Sequence, residues 1–220
     1  MQFQVWVLSY FLASAFCYIE TFYLYRSKNI NRKMLSYLVF SAGCWSLLDG
    51  LTQLTHGDVA LSLQYGVLFV SFIVAFIFLY FSYSLMNPLS EKMLSLLLLI
   101  PIFLGLVSSL FIEIFVGTEE RTFDGIRYIH IVYNDILYVV TVLTLFFPLL
   151  FGFIFLMKSL KNLEEPDLRK KAIYFTVGML FAIISSYILG TSEVIYHTPP
   201  VASIAISVGI GIASLSFRKD

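Results

Sequence analysis

The chain has 220 residues, of which 59% are hydrophobic, 17% aromatic and only 13% charged, with a mean hydropathy of +0.87 and no net charge. Soluble domains carry about 25% charged residues, so this composition excludes an ordinary soluble protein and points to a chain that lives largely in lipid. The zero net charge excludes nothing, because the charges are segregated along the chain.

Seven apolar segments are expected to be membrane-spanning helices, over residues 5–25, 34–54, 60–86, 93–116, 136–157, 172–196 and 200–217. Crossing a bilayer takes about 20 apolar residues. The expected fold class is therefore all-α, a polytopic seven-transmembrane-helix bundle forming one domain over 1–220. No basic residue precedes the first apolar run, so Ala13-Ser14-Ala15 reads as part of a retained helix, not as a signal cleavage site. Cys17 and Cys44 both lie inside apolar spans, where a thiol packs as a small apolar group.

The second span, MLSYLVFSAGCWSLLDGLTQL, carries a carboxylate inside lipid. Ser41, Trp45, Asp49 and Gln53 follow one another at i, i+4 and form one stripe. An acid there costs about 3 kcal/mol on insertion scales, so the stripe should face protein. Glu20 in the first span is expected to reach the interface and the basic loop 26–33.

Further along, Asn87-Pro88 marks a short turn, and Pro101 and Pro148 are expected to kink their spans. The segment 117–135 is the longest connection, and it is too short for a core of its own. Pro166-Asp167 reads as a helix start, so 167–171 should join the sixth helix, and 158–165 should prolong the fifth. Pro199-Pro200 leads into the last helix, where Ser203, Ser207 and Gly211 line one face and Ala205, Gly209 and Ala213 another. Small residues at this spacing let backbones approach closely. Their presence on two faces favours a central packing helix; a homodimer seam is the other use of such a stripe.

Of the 14 Lys and Arg residues, twelve fall in loops 26–33, 87–92 and 158–171 and in the tail, and only Arg121 and Arg127 fall on the opposite side. Positive charge stays in the cytoplasm, so the N-terminus is expected outside and the C-terminus inside. The acids divide the other way, leaving the outer half net negative.

Asp49 is expected roughly 7 Å below the outer end of its helix at 1.5 Å per residue. Near its level should lie Gln53, Gln64, Tyr65, Glu113, Asn134, Asp135, Tyr138, Glu193, Tyr196 and His197. The ligand-binding set expected from this is Asp49, Trp45, Gln53, Glu193, Tyr196 and His197. With so few basic residues on that side, Asp49 is either paired with a cationic ligand or carries a proton. His56, His130 and His197 make no HExxH-type pair on one helical face, so no metal site and no cofactor are expected. No nucleophile array or phosphate loop argues for an enzyme, and nucleic-acid binding has no support. Lys161, Arg169, Lys170 and Lys171 form the largest cytoplasmic feature, suited to an acidic partner or to anionic lipid headgroups.

Several stretches carry a family likeness: Ser41-Ala-Gly-Cys-Trp45-Ser46, the Phe-rich VLFVSFIVAFIFLYFSYSLM, the Asn-Pro turn, PDLRKKAIYFTVGML and the Pro-Pro-led last helix. In layout and texture the chain resembles the N-terminal seven-helix sensor region of prokaryotic histidine kinases. The resemblance implies an input module in the cell membrane, sensing a ligand or the membrane's state. Its seventh helix would pass a displacement to a cytoplasmic kinase or other output protein. The sequence as given stops at Arg218-Lys219-Asp220 with no kinase segment, so the expected output partner is a separate protein. The competing reading is a small cation-coupled permease using Asp49 and Glu193, against which stands the lack of an inverted repeat.

Overall fold

Helix starts follow from the local sequence. The structure, a computed structural model, describes residues 5–27, 29–87, 89–163 and 166–217. Lys28, Pro88, Glu164, Glu165 and the tail Arg218-Lys219-Asp220, all used in the sequence reading, lie outside the described residues. Helix α1 is Leu8–Tyr25 and α2 is Ile30–Thr52, the latter opened by Asn29, whose side chain accepts the Asn31 N–H at 2.8 Å. Helix α3, Gly57–Ser84, follows a tight turn in which Gly57 takes φ +57°.

Next come α4, Glu91–Leu97, started by the Ser90 hydroxyl on the Met93 N–H, and α5, Leu99–Leu110. The break between them follows from Pro101, which has no N–H to give the carbonyl of Leu97. The Tyr80 hydroxyl on α3 donates to that carbonyl instead, at 3.0 Å. Helix α6, Asp135–Asn162, is capped by Asn134 and runs through Pro148 without a break. Helix α7, Pro166–Tyr196, starts on a proline, and α8 is Ala202–Leu215.

The helical class is as expected. The connection 117–135 is not a loop: β1, Phe115–Phe123, and β2, Ile126–Tyr133, form an antiparallel hairpin. Its turn is Asp124-Gly125, both at positive φ (47° and 77°), the geometry that matches strand twist. A bulge between Phe115 and Gly117 shifts the register at the base.

Among the described residues, five helical stretches are long and apolar enough to cross a membrane: Ile30–Thr52, Gly57–Ser84, Lys92–Leu110, Asp135–Asn162 and Arg169–Glu193. The other two expected spans fall short of that measure. In α1 the tyrosines at 10, 18, 23 and 25 and Glu20 dilute the apolar character. In α8 the length is 14 residues, about 21 Å at 1.5 Å per residue.

Helix α3 packs against α2, α5, α6 and β1, and α8 packs against α1, α2 and α7. One apolar core joins α1, α2, α3, α7 and α8 around Met34, Leu38, Phe78, Phe81, Phe175 and Ile210. A second lies under the hairpin, where Ile114, Phe115, Ile129 and Ile131 meet Ala60, Leu68 and Phe72 of α3. Outside, the polarity of a soluble protein is inverted: Phe103, Leu110, Phe147, Val177, Phe181 and Ile188 are all exposed. Apolar surface on this scale needs a lipid or protein cover.

In α8 the small residues are buried on both faces. A Cβ on Gly209 would stand 2.5 Å from the Ala182 Cβ of α7, and one on Gly211 would overlap the Phe16 ring of α1. Ser207 donates to the Ala42 carbonyl of α2 at 2.6 Å, while the Cys17 thiol donates to the Ser207 carbonyl at 3.2 Å. Both cysteines are free thiols. Glu20, expected at the interface, is buried at 2% exposure.

Candidate functional site: an acidic cavity beneath the hairpin

The second helix presents Trp45 and Asp49 one turn apart on the face that meets α3 and α8. In front of them opens a cavity of about 380 Å³. Its walls come from α2, α3, α6, α7 and α8, and the base of the hairpin closes one end with Ile114, Phe115 and Tyr133. The volume falls in the range of ligand pockets, about 300–1,000 Å³.

Two carboxylates face this space. Asp49 is 7% exposed and Glu193, from the last turn of α7, is 8% exposed, and they lie near enough to interact as charges. The Tyr133 hydroxyl donates to Glu193 Oε1 at 3.0 Å. Among the described residues Asp49 has no comparable donor: the Ser203 hydroxyl of α8 lies beside it without making a well-formed hydrogen bond. Among the described residues, no lysine, arginine or histidine lines the cavity. Arg121 is held by Glu119 at 2.8 Å and Arg127 by Glu120, both on the hairpin surface. The remaining walls are largely apolar and aromatic, with Trp45, Tyr138 and Tyr187 among them.

The expected ligand set is therefore divided. Trp45, Asp49 and Glu193 come together at the cavity, with Gln64 and Tyr138 of the wider polar set. Gln53 does not line it. Its amide instead grips the backbone of β2, donating to the Ile129 carbonyl at 3.2 Å and accepting the Ile129 N–H at 2.8 Å. This is a docking contact for the hairpin, one turn above the cavity. Tyr196 is 70% exposed and His197 is exposed, because α7 ends at Tyr196 and the chain turns out with His197 at φ 54°. Both lie by a surface depression with Arg121, Phe123 and Tyr128. The sequence reading missed Tyr133, Ser203 and the hairpin that carries Tyr133. The signal for the hairpin was present: Asp-Gly between two alternating segments is the strongest short-range hairpin mark.

The hairpin is fastened on three sides. Gln53 holds β2 to α2, the Tyr65 hydroxyl donates to the Phe115 carbonyl at 3.4 Å, and Tyr128 donates to the His197 carbonyl. His130 lies on the same face of β2 as Tyr128, its ring 5.4 Å from that of His197. Burial, with the Arg121 guanidinium and His197 adding to it, lowers His130 from 6.5 to about 4. The unfolded chain takes this proton near pH 6.5, and the docked hairpin takes it only near 4. The docked state therefore keeps its full stability above about pH 6.5 and loses it as the pH falls toward 4. Thermal unfolding of wild type and His130→Phe from pH 7 to 4 should show the wild type losing stability relative to the variant. Parallel curves would remove this account.

The five long apolar helices have the dimensions of membrane spans, and the cavity brings together two carboxylates buried in the helical body, Asp49 and Glu193. No protein-family model matches the chain, and no curated protein does either.

Proposed function

We propose that the chain is a multi-pass sensory input module of the cell membrane. It would bind a ligand in the cavity at Asp49 and pass the change to a separate cytoplasmic protein. The observation that carries this reading is the cavity itself: two buried carboxylates with no basic side chain beside them among the described residues, roofed by a hairpin that ties α2, α3 and the α7–α8 connection together. A ligand that moves the roof or the cavity wall acts at once on α7 and α8, which pack on each other through Gly178 against Ala213 and Gly209 against Ala182. The resemblance to the seven-helix sensor regions of histidine kinases supports the same assignment, with the first and last segments completing seven spans.

In this reading the hairpin faces outside and loop 158–171 the cytoplasm, as the distribution of Lys and Arg implies. After replacement of Cys17 and Cys44, a cysteine at the exposed Thr122 should react with an impermeant thiol reagent on intact cells. One at the exposed Asn162 should react only after lysis. Labelling of Asn162→Cys without lysis would reverse the orientation.

Lys161, Arg169 and Lys170 are exposed at the ends of α6 and α7, beside Lys171. Their reversal to glutamate should cut recovery of a cytoplasmic partner in a pull-down while leaving membrane insertion intact. An unchanged partner yield assigns these residues to lipid headgroups. The placement of Asp49 and Glu193 in one cavity also favours the competing reading, a cation-coupled permease. Cation-driven solute uptake by proteoliposomes, lost in Glu193→Gln, would establish it in place of the sensor.

A further inference from the structure

The chemistry of the cavity narrows what it takes. Its charged end is small and specific: Asp49 and Glu193, with the rings of Trp45, Tyr133 and Tyr187 on the same walls. Such rings attract a cation through their faces. Glu193 accepts the Tyr133 hydroxyl, whereas Asp49 faces the cavity beside the Ser203 hydroxyl. That hydroxyl is 1% exposed, lines the cavity and has no hydrogen-bond partner of good geometry. An inorganic divalent ion suits the space poorly, since calcium takes six to eight oxygens and magnesium six in an octahedron. Among the described residues no group of three His, Cys, Asp or Glu side chains stands together.

The other end differs in character. A narrow void of about 30 Å³ shares Trp45, Ser71, Leu145, Leu149 and Ile206 with the cavity and continues it along the bundle. Beyond those shared residues it is walled by Val74, Ala75, Met179, Ala182, Ile183 and Ile210, all apolar. On one side this path is bounded by α6 and α7, which pack only sparsely on each other and turn most of their surface outward. A molecule dissolved in the bilayer meets that seam directly.

We propose that the cavity binds an amphiphilic organic cation, with an amine or quaternary ammonium headgroup at Asp49 and an alkyl tail along the apolar walls of the cavity toward its narrow extension, entering from the bilayer between α6 and α7. This rests on the reading of the cavity as a ligand site and adds the class of ligand. A lipid-soluble cation would report the state of the membrane and bind a defined site at the same time. Asp49 supplies the charge contact, Trp45 and Tyr133 the ring faces, and Ile206 and Met179 the contact with the tail.

The test uses Trp45 as its own reporter. The chain has two tryptophans, Trp6 and Trp45, so Trp6→Phe leaves only the one in the cavity wall. In lipid nanodiscs, 4-bromododecyl-trimethylammonium should quench Trp45 saturably, because a bromine four carbons from the nitrogen comes within contact of a ring one helical turn, about 6 Å, from Asp49. Asp49→Asn should weaken that binding by about tenfold or more, with Glu193→Gln as the second variant should Asp49→Asn fold poorly. Tetramethylammonium should compete only weakly, and dodecanoate not at all. Four results would overturn the proposal: quenching linear in probe, equal saturation in both carboxylate variants, equal binding of brominated dodecanoate, or full competition by tetramethylammonium. The last two keep a ligand site and remove only the amphiphilic cation. Absence of saturable binding by any of the four probes removes the ligand site as well.

Discussion

Asp49→Asn should weaken ligand binding by about tenfold or more, and with it the response that follows, with little change in thermal stability. The substitution keeps the shape of the side chain and removes its charge. Asp49 is 93% buried, no basic residue among the described ones lines its cavity, and its neighbour Ser203 makes no well-formed hydrogen bond to it. A buried carboxylate with so few internal donors contributes little to folding and is costly to bury. For the same reason Asp49→Leu should fold at least as well as wild type, since the leucine adds apolar surface to a wall that is already largely apolar. The readouts are saturable probe binding and melting temperature in the same detergent. An Asp49→Asn protein that binds normally would remove the site. An Asp49→Leu protein that unfolds would make Asp49 a structural residue instead.

The second large effect is expected at Gly209. Its Cα faces Ala182 so closely that even a single added methyl would overlap the neighbouring Cβ, and the backbone of α7 stands 2.9 Å away at the Ala182 Cα. Gly209→Leu must push α7 and α8 apart, and overpacking of this kind costs roughly 1–3 kcal/mol or more. Both helices wall the cavity, so the variant should lose probe binding together with stability. Val177→Leu, on the outward face of α7 at 60% exposure, is the matched control and should be nearly silent. Equal melting temperatures for Gly209→Leu and wild type would end the claim that α8 is central.

How much of this was legible in the sequence depended on whether the signal was local. Trp45 and Asp49 share a helix at i, i+4, and helical periodicity alone places them on one face. The small-residue faces of α8 were readable for the same reason. Glu193 was found from its charge, but helical extrapolation carried the site one turn too far, to Tyr196 and His197. The helix ends there, and His197 adopts a left-handed backbone that no periodicity announces. Gln53 failed differently: it does lie on the predicted stripe, but its partner is a strand that a purely helical reading did not contain. The hairpin itself was missed because 117–135 was read only as a connection between two apolar spans, without the turn chemistry of Asp124-Gly125 inside it. The break before Leu99 was foreseen at Pro101 as a kink, but the Tyr80 hydroxyl that caps the freed carbonyl comes from a different helix and leaves no local trace.

The position of α8 also sets the order in which the molecule can be assembled. It is the element that touches α1, α2 and α7 at once, yet all three have been synthesised before Ala202 is added. Until then α1 and α2 flank a vacant slot, and the Ala42 carbonyl waits for the Ser207 hydroxyl. The bundle therefore cannot be completed by adding helices one after another from the N-terminus. It must hold an open seam during synthesis and close when α7 and α8, matched to each other through Gly178–Ala213 and Gly209–Ala182, enter as a hairpin pair. For insertion machinery or a membrane chaperone, the half-made chain presents a recognisable groove, and the arrival of α8 is the event that hides it.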